Sequence, residues 1–410
     1  MSNKVIFHID FDSYFVSAHR TVDFSLKNKP VGVGKKGSKS ICSSISYELK
    51  NKGVKVAWPK FKILQYEPNT IFVEPNFDLY ITLSNKIFDY ISKKYSKLIE
   101  VFSIDECWLD VTDLTNIDNS LFYANIIKKD ILETFDIPIS IGISYNKFLA
   151  KMSSDLAKPF GITLTKKEDI EKNIWKLPIE KYFGIGKSSS VKLRNIKINT
   201  IEDLAKSSHL DQNIYNIFGK RTQKYINEAN GISSDELELE HNELKEIGNE
   251  VTFSEIDIDD KKDIYKIIKM LSEKVSHRAY NRSMLATVIS FLVRNNEGKW
   301  YSKQITFKKP TNDFEFIYKT SIKLFDKYWN EELIKGVGIR LKNLIFEFDY
   351  YKQLNLFEDY KEDNSKINNL IRNINNKFKK SVLKTGYQFE REKTKNSIQS
   401  RYIQNDILKK

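Results

Sequence analysis

The run Ile99-Glu100-Val101-Phe102-Ser103-Ile104-Asp105-Glu106-Cys107-Trp108-Leu109-Asp110-Val111 carries apolar residues up to two adjacent carboxylates and resumes them straight after. Alternation on both sides (Ile99 and Val101, then Cys107, Leu109 and Val111) predicts a tight hairpin with Asp105 and Glu106 at its bend. Two acids side by side repel unless water or a cation neutralises them. Taken alone, the pair reads as a solvated turn, where Asp is common. A third acid on a neighbouring strand would turn it into a site.

That acid stands near the start of the chain. Val5-Ile6-Phe7-His8-Ile9-Asp10 is a buried-type strand that ends in Asp10-Phe11-Asp12-Ser13-Tyr14-Phe15. Asp10 shares a strand face with Ile6 and His8, while Asp12 is expected to cap the helix starting at Ser13. His8 reads as a packed residue rather than a catalytic one. A strand ending in Asp and a hairpin bearing Asp-Glu supply the hard oxygen ligands that Mg²⁺ takes. Bridging carboxylates can hold two such ions about 4 Å apart, one activating an attacking oxygen and the other steadying a leaving phosphate.

With 410 residues the chain exceeds one ordinary core and is expected to form two to four domains. Hydrophobic residues at 40% and aromatics at 13% suffice for packed cores. No apolar run approaches the roughly 18 residues of a membrane span, and the first strand leaves no room for a signal peptide. Cys42 and Cys107, far apart and without partner histidines, argue against a zinc site or a disulfide framework and fit a reducing cytoplasm. The net charge of +13 points to a polyanionic partner, but residues 351–410 alone hold 14 Lys and Arg against 7 acids. The rest is only mildly basic, so charge by itself decides little.

Asp10-Phe11-Asp12-Ser13-Tyr14-Phe15 and Ser103-Ile104-Asp105-Glu106 resemble the two signature motifs of the Y-family, lesion-bypass DNA polymerases, the polymerase IV and V-like, UmuC-type enzymes. The resemblance implies an α+β right-hand fold: a palm with a mixed sheet, small fingers, a helix-hairpin-helix thumb and a βαββαβ little finger. It implies Asp10, Asp105 and Glu106 as catalytic acids and, with the Phe11 carbonyl, as ligands of two Mg²⁺ ions, for which Mn²⁺ can substitute. Phe15 matches the aromatic gate that clashes with a ribose 2′-OH; without the resemblance a Phe in a first helical turn is core.

The resemblance divides the chain into palm (1–22 and 77–165), fingers (23–76), thumb (166–235), linker (236–246), little finger (247–349) and a tail (350–410). In the fingers, Ser43-Ser44-Ile45-Ser46-Tyr47-Glu48-Leu49-Lys50 is similar to the family stretch whose Tyr and Arg grip the incoming triphosphate. It implies Ser44, Tyr47 and Lys50 as nucleotide-binding. Lys50 stands where Arg is usual, which keeps the charge and loses the bidentate fork; otherwise it reads as a solvated helix residue. Ile41 and Ser43 fall where the fingers cover the templating base.

Back in the palm, Ile137-Pro138-Ile139-Ser140-Ile141-Gly142-Ile143-Ser144 sets isoleucines on one face and small residues on the other, open to close approach by another element. The helix Asn146–Lys158 is expected to bury Phe148, Leu149, Met152 and Leu156, with Lys147, Lys151 and Asp155 on the opposite face. Asp155-Leu156-Ala157-Lys158-Pro159 matches the family's triphosphate-binding lysine motif and implicates Lys158; its other reading is a lysine satisfying a helix dipole.

Phe183-Gly184-Ile185-Gly186-Lys187-Ser188 resembles a helix-hairpin-helix turn, with Ser188 or Ser189 capping the next helix, and implies DNA contacts at Gly184, Gly186 and Lys187. Phe183 replaces the usual Pro. A second such unit runs from Phe218-Gly219-Lys220 to Ala229-Asn230-Gly231-Ile232. The acidic Asp235-Glu236-Leu237-Glu238-Leu239-Glu240 departs from a tether that is often basic, and repulsion from phosphates is expected to turn it to solvent. Strands are expected near 247–254, 284–294, 299–308 and 337–348, and helices near 260–280 and 313–329. Arg294, Lys303 and Arg340 are the candidate DNA contacts there.

Gln353-Leu354-Asn355-Leu356-Phe357 matches the peptide by which bacterial polymerases dock on the sliding clamp, with Gln353, Leu354, Leu356 and Phe357 as its contacts. The tail's Ile367, Leu370, Ile371, Ile374 and Phe378 form one amphipathic helix pattern. It resembles the extension of plasmid- and phage-borne polymerase V-like members in Gram-positive bacteria, and reads equally as a docking helix or a cap. The resemblance implies a monomeric, cytoplasmic, low-fidelity translesion polymerase without proofreading, acting on primer-template DNA and dNTPs with the clamp as partner. The alternatives are a non-catalytic DNA- and clamp-binding relative or a palm-type nucleotide cyclase.

Overall fold

The computed structural model describes residues 4–239, 244–253, 261–329 and 333–350. The chain divides into two units, Met1–His241 and Asn242–Lys410. In the first lie β1 (Ile6–Phe11), β2 (Val31–Gly34), β3 (Cys42–Ile45), β4 (Ile71–Val73), β5 (Ile99–Val101), β6 (Glu106–Asp110), β7 (Ile139–Ser144) and β8 (Ile162–Leu164).

β1 is buried along its whole length because it sits in the middle of a five-stranded mixed sheet of order β5-β6-β1-β7-β8. Only the β7–β8 pair is parallel. Strand alternation divides the side chains between two faces. Phe7, Ile9, Phe11, Cys107, Leu109, Ile139, Ile141 and Ile143 join Ile87, Ile91, Ile127 and Ile131 of the helices Phe77–Lys94 and Ser120–Phe135 in one core. The opposite face carries His8 beside Trp108 and Gly142, and Asp10 beside Glu106 and Ser140.

Over that second face lies the helix Lys147–Ala157. The small residues expected to admit a close neighbour do so at Gly142: a Cβ there would stand 2.1 Å from both the Ala150 carbonyl oxygen and the Ser154 nitrogen. Phe148, Leu149 and Met152 are buried as expected. Leu156 is 40% exposed and Lys151 only 7%, the reverse of the expected burial, because the Lys151 side of the helix faces the acid-bearing edge of the sheet.

Residues 31–73 form a small sheet of order β3-β2-β4 around Cys42, Ile45, Leu49, Val54 and Ile63. The helices Lys187–Asn195, Ile201–Ala205, Gln212–Phe218 and Thr222–Ala229 enclose Leu193, Ile201, Leu204, Ile214 and Phe218. Gly184 takes φ +97°, a conformation that favours glycine. Gly186, not Ser188 or Ser189, is the N-cap of the helix Lys187–Asn195. The acidic stretch is not simply turned to water: Leu237 packs on Ile6, Trp108 and Ala150, and the Glu238 N–H donates to Glu100 Oε2 at 2.7 Å. An apolar residue between the acids thus holds this segment against the sheet.

The second unit carries β9 (Glu246–Thr252), β10 (Met284–Asn295), β11 (Trp300–Thr311) and β12 (Ile334–Phe346), with the helices Lys261–Tyr280 and Phe314–Tyr328. These follow the expected βαββαβ order and form an antiparallel sheet β11-β10-β12-β9. Ile289, Phe291, Ile339 and Leu341 pack with Ile267, Leu271 and Phe325 of the helices.

Candidate active site

Asp10 and Glu106 are direct cross-strand partners, and the Phe11 N–H donates to the Asp105 carbonyl at 2.8 Å. The hairpin bend falls at residues 102–105, so Asp105 closes the turn and Glu106 opens β6. A polar cleft of about 290 Å³ is lined by Asp10, Phe11, Phe15, Ser44, Lys50, Asp105, Glu106, Lys151 and Lys158. The acids therefore share one cavity with Phe15, Ser44, Lys50 and Lys158, while Tyr47 stands behind Lys50 and does not line it.

Two ammonium groups are seated among the acids. Lys158 Nζ is 2.7 Å from Asp10 Oδ2, and Lys151 Nζ is 2.6 Å from Glu106 Oε2 and 3.4 Å from Asp10 Oδ2. Asp105 Oδ1 accepts from the Ser103 hydroxyl at 2.6 Å. Burial pushes the Asp105 carboxyl above its ordinary range, and the neighbouring Asp10 and Glu106 push it the same way. Burial acts likewise on Glu106, but His8 and Lys151 outweigh it and hold that carboxyl down to about 2. Burial would lower Lys158, yet Asp10 and Asp155 keep it above the ordinary lysine range.

Among the described residues, no three His, Cys, Asp or Glu side chains converge closely enough to hold an ion as they stand. The expected three-acid set is thus met by the backbone and not by the oxygen atoms, which are turned to Lys151, Lys158 and Ser103. In chemistry the donor set is the kind a hard divalent ion takes, being made of carboxylates on adjacent positions around a polar cleft.

The residues expected at the nucleotide are placed by both parts of the first unit. Phe15 stacks on Tyr80, with centroids 4.2 Å apart and planes within 8°. Lys50 Nζ lies 4.1 Å over the Tyr47 ring, and burial followed by the Lys158 charge lowers its pKa. Asp12 does not cap the first helix; Ser13 holds the N-cap position, in left-handed geometry. The Asp12 carboxylate instead accepts from the Tyr47 hydroxyl at 3.0 Å, the Ser140 hydroxyl at 2.9 Å and the Phe160 N–H at 2.7 Å. Burial raises its pKa against those three hydrogen bonds.

His8 is fully buried, edge-on to Trp108, with Nδ1 at 2.7 Å from Ser154 Oγ. Its Nε2 lies 3.3 Å from Glu106 Oε2. Burial, then the Lys151 charge, lowers its pKa and favours the neutral ring. Lys151, Asp12 and His8 are the residues that reading the sequence missed. Only the shared strand face of His8 and Asp10 hinted at one of them.

Gly184, Gly186 and Lys187 are exposed together at the start of the helix Lys187–Asn195. The three candidate DNA contacts of the second unit are not brought to one face. Arg294 and Arg340 pair with positions on the sheet face away from the helices, whereas Lys303 is opposite the core residue Phe291 and sits 5.0 Å over the Tyr328 ring. Arg340 is already engaged by Glu246 and Glu250, at 3.0 and 3.2 Å. Gln353, Leu354, Leu356 and Phe357, like the rest of the tail, lie outside the described residues.

The chain matches the impB/mucB/samB family over residues 9–155 and that family's C-terminal domain over residues 244–356. It is 34% identical over 398 residues to a DNA polymerase IV of Bacillus velezensis, covering 96% of this chain and 95% of that one. It is 32% identical over 399 residues to DNA polymerase IV 1 of Bacillus subtilis, with 96% and 95% covered. Among solved structures, a chimeric Y-family DNA polymerase built on Dbh superposes with a TM-score of 0.74 at 25% identity, over 83% of this chain and 99% of the other.

Proposed function

Because the chain belongs to the Y-family of DNA polymerases, we infer that the cleft between the acids and Lys158 is where its template-directed synthesis across lesions is carried out. The enzyme is a DNA-directed DNA polymerase, and its family's nucleotidyl transfer uses a divalent metal. The primer 3′-OH attacks the α-phosphate of a dNTP and pyrophosphate leaves.

In this reading Asp10, Asp105 and Glu106, with the Phe11 carbonyl, hold two Mg²⁺ ions, or Mn²⁺ in their place. Bound there, the ions would activate the attacking hydroxyl and steady the charge on the phosphates. Lys158, Lys50, Tyr47 and Ser44 grip the triphosphate, and Phe15 lies under the sugar. Lys50 and Lys158 line the cleft and, in this reading, stabilise the negative charge that develops on the leaving pyrophosphate. Gly184, Gly186 and Lys187 offer a helix N-terminus and an ammonium to the DNA backbone; Arg294 adds a cation on the sheet face away from the helices, and Arg340 would have to leave Glu246 and Glu250 to join it. The palm, fingers, thumb and little finger follow the divisions drawn from the sequence, and the enzyme works as a cytoplasmic monomer docked on the clamp through residues 353–357.

The observation that carries this reading is the single cleft shared by Asp10, Asp105, Glu106, Lys50 and Lys158. Primer extension with Mg²⁺ tests it: Asp105→Ala should abolish incorporation on an undamaged template while DNA binding persists. Extension at the wild-type rate would place the chemistry elsewhere. For the clamp, a variant with Leu356 and Phe357 both replaced by Ala should no longer co-elute with it.

A further inference from the structure

Asp12 lies two residues beyond Asp10, is only 2% exposed, and gathers hydrogen bonds from three separate segments. Oδ2 receives the Ser140 hydroxyl from β7 and the N–H of Phe160, two residues after Lys158. Oδ1 receives the Tyr47 hydroxyl from the small sheet region. Phe160 itself holds φ +50°, a strained value for a non-glycine residue, so its N–H bond helps fix the turn that carries Lys158.

A tyrosine hydroxyl has one proton to donate. While it is given to Asp12, the Tyr47 hydroxyl has only lone pairs left for any other partner, and these repel phosphate oxygens. We propose that Asp12 is a positioning residue that restrains the triphosphate grip, competing with the incoming nucleotide for the Tyr47 proton while bracing the Lys158 turn. The inference rests on the reading of the cleft as the nucleotide site. An Asn at this position keeps one carbonyl oxygen for Ser140 and Phe160. Its NH₂ group then donates to Tyr47 Oη and leaves the tyrosine proton for a phosphate. Asp12→Asn therefore separates the two jobs of the carboxylate.

Single-nucleotide insertion by the full chain, with equilibrium dNTP affinity on a dideoxy-terminated primer, tests this. Asp12→Asn should lower the dNTP KM and dissociation constant about fivefold, the worth of one freed hydrogen bond, with kcat unchanged. In a Tyr47→Phe background the same change should do nothing, since no proton is contested. An unchanged or raised KM in Asp12→Asn overturns the inference. A gain that persists in Tyr47→Phe also overturns it, since removal of the charge alone would then be acting. If Lys158→Ala leaves dNTP affinity untouched, the nucleotide reading of the cleft fails and the inference with it.

Discussion

Lys151 Nζ lies 2.6 Å from Glu106 Oε2, with the lysine side chain 8% exposed and the glutamate 15%. A pair this buried is more conspicuous when halved than when intact, because the remaining charge has lost its partner and is only partly hydrated. Lys151→Met should therefore destabilise the first unit by about 3 kcal/mol. Replacing Glu106 by Gln in the same chain should recover a good part of that loss. Denaturant titrations of the two variants check it; equal stabilities would mean the pair is solvated.

Phe15 is held flat against Tyr80, so its ring has a fixed place in the cleft wall. A wall discriminates by contact, and removing a large ring admits substituents that it excluded. Phe15→Ala should reduce discrimination against ribonucleotides by about 10–100-fold. Insertion kinetics with matched dNTP and rNTP would show it, and unchanged discrimination would assign the gate to another residue.

How much of this was legible follows from which signals are local. Asp10, Asp105 and Glu106 could be read because strand alternation and adjacency are written in consecutive residues. Lys151 could not, since Lys147, Lys151 and Asp155 at helical spacing look the same whether they face water or an acidic cleft. Asp12 before Ser13 has the local pattern of a cap, and only the packing of Tyr47, Ser140 and Phe160 around it reveals its use. The βαββαβ order was readable from periodicity. The face taken by Lys303 was not, because it depends on the register that pairs Lys303 with Phe291.

The contact at Gly142 makes a sharper structural prediction. A methyl group 2.1 Å from the backbone of Ala150 and Ser154 cannot be relieved by a side-chain rotation, so the helix Lys147–Ala157 must move off the sheet. Gly142→Ala should cost about 3 kcal/mol or more, or yield no soluble protein. Gly186→Ala, which meets nothing within 4 Å, should fold normally. Similar melting curves for the two variants would refute the close packing.

Asp110, the acid beyond the hairpin, has a stabilising use. Lys4 Nζ stands 2.6 Å from its Oδ2, and Oδ1 accepts from both the Thr112 N–H and the Thr112 hydroxyl. Burial raises its pKa, but Lys4 and Thr112 outweigh that and leave it below the ordinary 3.8. A carboxylate whose folded pKa is depressed stabilises the fold fully above its unfolded value, and that contribution fades as pH falls through the folded value. Asp110→Asn should thus destabilise the protein by about 1–2 kcal/mol at neutral pH. The gap between wild type and variant should close below pH 3.8. Melting temperatures measured from pH 7 downward decide it: a gap that stays constant into acid would mean that the ionised carboxylate contributes nothing to the tie between Lys4 and the end of β6.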